Sequence, residues 1–107
     1  MSAERIRALN DQLRRTFQGG KVMMTSGING LPDDVKARIL AKLRIFDAFS
    51  TANDPHHEHN FGAFEESGHK VFFKLDYYDP AMQFGSEDPA DPSKTSRVLT
   101  IMLAEEY

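Results

Sequence analysis

The stretch Phe61–Asp79, FGAFEESGHKVFFKLDYYD, decides the fold. Ser67-Gly68 interrupts two runs of strand-forming residues, and a two-residue reversal there makes a β-hairpin. In the second run Val71, Phe73, Leu75 and Tyr77 share one face, read as the core face. Lys70, Phe72, Lys74, Asp76 and Tyr78 share the other, because side chains alternate along a strand. A two-residue turn pairs Glu66 with His69 and Phe64 with Val71, and it sets Glu65 opposite Lys70 as a favourable charge pair. Carried further, the same register puts Phe61 opposite Lys74 and His59 opposite Asp76 on the outer side. A three-residue turn would instead put Asn60 opposite Asp76 and turn His59 to the other face.

The residues before this hairpin are the most polar of the chain: Asn53-Asp54-Pro55-His56-His57-Glu58-His59-Asn60. His56, Glu58, His59 and Asp76 are the candidate ligands of a divalent metal such as zinc or manganese, since imidazole and carboxylate suit those ions. Their order is not the helical HExxH spacing, and Pro55 opposes a helix here. The plainer expectation is a structural loop in which Asn53 and Asp54 make a side-chain turn. Without metal, a carboxylate at Asp76 orients the His59 imidazole as a general base, with Lys74 stabilising developing negative charge.

Upstream, Ile6, Leu9, Leu13 and Phe17 recur at helical spacing, which predicts an amphipathic helix over 3–17 with Ser2 as its cap and Gly19-Gly20 as its stop. Its charged residues, Arg14 among them, are assigned to the solvent side. Lys21–Thr25 reads as a short strand. Residues 32–49 read as a second helix, with Pro32 at its start, Asp33 and Asp34 in its first turn, and Val35, Ile39, Leu43, Phe46 and Phe49 on one stripe. Lys42 falls within that stripe, where it either snorkels to water or meets an acidic partner.

Downstream, 79–92 is a proline-rich loop. Asp91-Pro92 then resembles a helix start, and a last helix through Glu105 is expected. The run VLTIMLA also fits a buried strand, which periodicity does not distinguish; length and the Asp-Pro start favour the helix. The expected architecture is α+β: two N-terminal helices around a short strand, an antiparallel hairpin and a C-terminal helix. Residues 1–107 form one domain, and strand 21–25 is a candidate third strand of the hairpin sheet.

Composition removes several functions. The chain has 107 residues and no cysteine, so it has no disulfide framework, thiol nucleophile or thiolate metal site. No apolar run is long enough for a membrane span and no secretory leader is visible, so a cytoplasmic location is expected. The net charge of -3 opposes generic binding to phosphate backbones. That charge is unevenly spread, net +4 over 1–52 and net -7 over 53–107. Phosphate-binding loops and nucleophile elbows are absent. The exposed aromatics Phe61, Phe72 and Tyr78 suit a protein partner.

Asn53-Asp54-Pro55-His56, Glu58-His59, Phe61-Gly62-Ala63-Phe64, Lys74-Leu75-Asp76-Tyr77-Tyr78-Asp79, Gly85-Ser86, Asp88-Pro89-Ala90-Asp91-Pro92 and Arg97–Ala104 together resemble the DUF3768 family of small bacterial proteins, over roughly 20–107. The family pattern has an acid where this chain has Asn60, which weakens position 60 as a base or ligand. The resemblance implies a compact bacterial domain carried by mobile elements, and it supplies no reaction, cofactor or partner. Two functional expectations follow. One is a cytoplasmic accessory protein binding a macromolecule through the outer hairpin face and the His-rich loop. The other is a hydrolase of phosphoester-like substrates, metal-assisted or using His59 and Asp76 as an acid–base pair.

Overall fold

The Ser67-Gly68 reversal forms with positive φ at both residues, 54° and 81°, the backbone that matches a right-handed strand twist. It joins β2 (Phe61–Glu66) to β3 (His69–Tyr78) in the expected register, from Glu66 opposite His69 to Phe61 opposite Lys74. The ladder ends there. Asn60 still accepts from the Leu75 backbone N–H at 2.9 Å, but His59 lies outside the strand with φ 55°. The expected pairing of His59 with Asp76 therefore does not form.

A computed structural model describes residues 2–107. Its elements follow as α1 (Ser2–Thr16), β1 (Lys21–Met24), the one-turn α2 (Ser26–Asn29), α3 (Asp33–Arg44), the hairpin and β4 (Ser96–Leu103). Ser2 is already helical, and α1 ends not at a glycine but at Phe17, which takes the left-handed φ of 60°. The Arg44 guanidinium lies over the Phe17 ring at 4.2 Å. α3 stops five residues short of the expected end, and Pro32 flanks rather than opens it. Phe46 and Phe49 nevertheless stay with the core, packed edge-on to one another at 4.9 Å. Lys42 neither snorkels freely nor meets a carboxylate: its ammonium donates to the Glu65 carbonyl at 2.7 Å.

The expected C-terminal helix is overturned. Asp91 does cap, accepting from the Ser93 N–H at 2.9 Å, but the helix it opens is a three-residue 3-10 turn, Pro92–Lys94. Residues Ser96–Leu103 then form a strand between β3, antiparallel, and β1, parallel. The sheet order is β1-β4-β3-β2, so β1 joins beside β4 and not beside the hairpin. Because β4 is central, both its faces are covered: Leu99 and Ile101 are wholly buried on one side, Val98 and Met102 nearly so on the other. A strand buried on both faces reads as a continuous apolar run, and its alternation disappears.

Leu13, Ile28, Ile39, Leu43 and Phe46 pack on the face carrying Val71, Phe73, Leu75, Leu99 and Ile101. This α+β arrangement covers one side of a mixed sheet with helices. Gly62 makes the packing possible at the β2 edge, since an added Cβ would strike the Phe73 ring and come within 2.8 Å of Phe46. Gly62→Ala is expected to cost about 1–3 kcal/mol of stability, read by urea denaturation, because overpacking forces those rings from their positions.

The C-terminal end is pinned by one carboxylate. Glu106 accepts from the Thr25 hydroxyl at 2.5 Å and from the backbone N–H groups of Leu103 and Gly27, each at 2.9 Å. The Thr25 bond first, then the two backbone bonds, hold its carboxyl below the ordinary glutamate value. A depressed carboxyl stabilises the folded state above its unfolded pKa, and that contribution is lost as pH falls through the folded value. Glu106→Gln should thus be less stable than the parent at neutral pH. The gap should close below pH 4.5, the ordinary value, in thermal melts at stepped pH.

Candidate functional site

Helical spacing puts Ile6, Asn10 and Leu13 on one face of α1, with Arg14 beside them, and all four are buried. Arg14 thus departs from the expected solvent side. The Arg14 guanidinium donates from Nη1 to the carbonyls of Leu43 at 3.1 Å and Phe46 at 2.8 Å, and from Nη2 to Asp11 Oδ1 at 2.9 Å. It therefore satisfies carbonyls that the end of α3 leaves without helical partners. Its flat cation also lies 5.4 Å from the centroid of Phe49 and 5.9 Å from that of Phe73, an attractive geometry for a desolvated guanidinium.

Asp11 passes this anchoring to the His-rich loop. Its Oδ1 meets His59 Nδ1 at 2.9 Å, and the imidazole lies flat on Phe49 with centroids 3.8 Å apart. Within the loop, Asp54 is buried and accepts from the backbone N–H of Glu58 and of His59, each at 3.1 Å from Oδ1. Asn53 bridges the Ser50 N–H and the Ala48 carbonyl. Asn53 and Asp54 thus shape the loop by side-chain bonds to backbone, but Asn53 reaches back three residues and Asp54 forward four and five, instead of the two of the expected side-chain turn. From α1, Asn10 donates to the Glu58 carbonyl at 2.9 Å and Arg7 to the His57 carbonyl at 3.1 Å.

A second buried chain runs to the sheet. Asn10 Nδ2 donates to the Tyr77 hydroxyl at 2.8 Å, the hydroxyl donates to Glu58 at 2.9 Å, and Arg97 Nε donates to Asn10 Oδ1 at 2.7 Å. Burial pushes the Tyr77 phenol well above its ordinary value, reinforced by its bond to Glu58 and that group's charge. Burial also lowers Arg97, opposed by Tyr77 and Glu58. Arg97 donates as well to the Pro89 carbonyl, tying the 79–92 loop to the same network.

The four expected metal ligands are parted by these bonds. Glu58 turns to Tyr77, His59 to Asp11, and Asp76 to Lys74 at 3.2 Å, while His56 is exposed. Among the described residues no three His, Cys, Asp or Glu side chains are grouped to hold a metal ion. The His59–Asp76 acid–base pair and its Lys74 partner are likewise separated. His59 packs on Phe49 on the helix side of the sheet, whereas Lys74 and Asp76 sit on the other side. The missed carboxylate is Asp11.

The outer face carries an aromatic cluster. Phe61 and Phe72 meet edge-on at 5.3 Å, and Tyr107 covers them at 6.0 and 5.6 Å. Tyr78 shares this face by alternation but stands six residues further along β3, where it pairs with Ser96 and bridges to Gly85. Tyr107 takes the place in the cluster that Tyr78 was expected to fill. Among the described residues, no helix is long and apolar enough to cross a membrane.

Arg14→Met keeps the bulk of the side chain and removes the guanidinium from Asp11 and from the Leu43 and Phe46 carbonyls. Removing one member of a buried, hydrogen-bonded ion pair costs about 3–5 kcal/mol, the loss expected in urea unfolding. The His59 ring resonances should shift with it, as Asp11 is released.

No curated protein and no solved structure matches the chain. The family described as Protein of unknown function (DUF3768) matches residues 24–106. That span takes in the His-rich loop, the hairpin and β4, and the chain belongs to the DUF3768 family.

Proposed function

We propose that this chain is a small accessory protein of the bacterial cytoplasm that binds a protein partner through the outer face of its hairpin, where Phe61, Phe72 and Tyr78 are half-buried, extended by the exposed His56 and His57 of the 53–60 loop. The observation that supports this reading is the one-sided layering: helices pack on one face, and Phe61, Phe72 and Tyr107 gather on the other beside the Lys74–Asp76 pair. Aromatic side chains flanked by charges of both signs suit a partner with an apolar patch and a mixed polar rim. A nucleic acid fits this face less well, because Glu65 and Asp76 stand among its lysines and the whole chain is net negative. A metal-assisted hydrolase needs a convergent donor set, and among the described residues no three His, Cys, Asp or Glu side chains converge.

Pull-down from a native bacterial lysate with the full chain provides the test. Wild type should capture a protein that Phe61→Ser with Phe72→Ser loses by at least about tenfold in affinity, the scale of a truncated aromatic hot spot. Phe84→Ser should retain it; Phe84 is an exposed aromatic elsewhere, 71 % accessible, and reports general stickiness. If Phe72→Ser with Tyr78→Ser leaves every specific partner bound, the surface is wrongly placed.

A further inference from the structure

On the helix side of the sheet, a pocket of about 270 Å³ opens between the turn after α3 and the His-rich loop, lined by Phe49, Ser50, Thr51, Asp54, His57 and His59. Asp11 Oδ1 already accepts from Arg14, so His59 Nδ1 is the donor in their 2.9 Å contact. With its proton on Nδ1, a neutral imidazole presents a lone pair at Nε2. That atom has no hydrogen bond among the described residues. Asp54 Oδ2 approaches it only to 3.8 Å, beyond hydrogen-bond range.

The ring is held by two neighbours. Phe49 fixes its plane, with 4° between the rings, and Asp11 fixes its rotation. His57 and His59 both have left-handed backbone, φ 59° and 55°, which non-glycine residues seldom adopt. Bonds from Arg7, Asn10 and Asp54 hold the segment there. Backbone strain held by surrounding bonds is a recurrent property of binding and catalytic segments.

We propose that this pocket is an acid–base site acting on neutral carboxylic esters, with His59 as the catalytic residue and Asp11 as its positioning residue. Water in the pocket gives its proton to His59 Nε2 while its oxygen bonds to the ester carbonyl carbon, and the carbonyl electron pair moves to oxygen. Collapse of that oxyanion breaks the carbon–alkoxy bond, and the leaving oxygen takes the proton back from Nε2. A carboxylic acid and an alcohol are released and the imidazole is again neutral. The Ser50 and Thr51 hydroxyls and the His57 ring are the side-chain donors of the lining for that oxyanion. The lining also selects the substrate: it holds the buried carboxylate of Asp54 and no Lys or Arg side chain. A phosphate ester would bring a permanent charge of like sign toward Asp54, whereas an acyl ester is neutral on binding and its oxyanion forms only once His59 has taken the proton. The pocket lies on the helix side of the sheet, away from the aromatic cluster, and shares His57 with the proposed partner surface.

The test uses the full chain with para-nitrophenyl butyrate, and para-nitrophenyl phosphate beside it. Wild type should hydrolyse the butyrate saturably and leave the phosphate untouched. His59→Gln should lose about a hundredfold, the low end for a general base. Asp11→Asn should lower kcat and displace the pH–rate profile with little change in KM, and His69→Gln should match wild type. A rate that never saturates, that equals free imidazole, or that survives His59→Gln overturns the proposal. Should His59→Gln fail to fold, nitrogen-15 NMR of wild type decides instead. A neutral His59 with its proton on Nδ1, whose Nε2 resonance moves on adding butyramide, supports the site. A proton on Nε2, or no response to butyramide, removes it.

Discussion

The fold depends on how a fully buried guanidinium is satisfied. Arg14 lies at the junction of α1, α3 and the sheet, and a cation there is tolerable only if its donors find acceptors. The end of α3 supplies carbonyls that need donors, and α1 supplies Asp11 three residues earlier. The exchange explains why α3 ends at Arg44 although its apolar stripe continues through Phe46 and Phe49. Breaking the helix frees the Leu43 and Phe46 carbonyls to face Arg14 and lets both rings fold back under it. Among the described residues Nε of the same guanidinium has no partner, so the satisfaction is incomplete, and the flanking aromatic faces offset part of that deficit.

From this junction order spreads by hydrogen bonds more than by ion pairs. The basic excess of the first half and the acidic excess of the second suggest direct pairing between them, yet Arg5, Arg7 and Arg14 all donate to backbone carbonyls. Arg5 takes that of Ala90, Arg7 that of His57, and Lys42 that of Glu65. Irregular segments such as 53–60 and 79–92 expose carbonyls that no ladder or helix uses. Long basic side chains from neighbouring helices are the means by which this chain satisfies them. Arg5 and Arg7 of α1 thus anchor loops of the second half, while Arg38 and Glu66 make a direct pair between the halves at 3.7 Å.

The hairpin was legible because its turn and its alternation agree independently, and the pairs from Glu66–His69 to Phe61–Lys74 form as read. Extending that register two residues further failed for a backbone reason: φ 55° at His59 breaks the alternation, and nothing in residue type announces it. β4 was misread because a centre strand shows no alternation, while Asp91-Pro92 is a true cap spent on a 3-10 turn. The missed carboxylate had a signal. Asn10 falls between Ile6 and Leu13 on one helical face, and a polar residue inside an apolar stripe is a reason to expect buried partners. With Asn10 buried, Arg14 one turn along and Asp11 beside it are drawn toward the same interior.

The family match begins at residue 24, after α1 and most of β1, and that boundary divides the loop's supports into two kinds. Asp54 and Asn53 shape the 53–60 loop from within the matched span, by bonds to neighbouring backbone. Arg7, Asn10 and Asp11 hold it from outside that span. The inner set fixes the course of the chain, and Phe49, also within the span, fixes the plane of the His59 ring. Only Asp11 decides which ring nitrogen carries the proton, because a hydrogen bond at Nδ1 assigns the lone pair to Nε2. The matched span thus contains the pocket's walls, and α1 contributes the single contact that gives its imidazole a chemical direction.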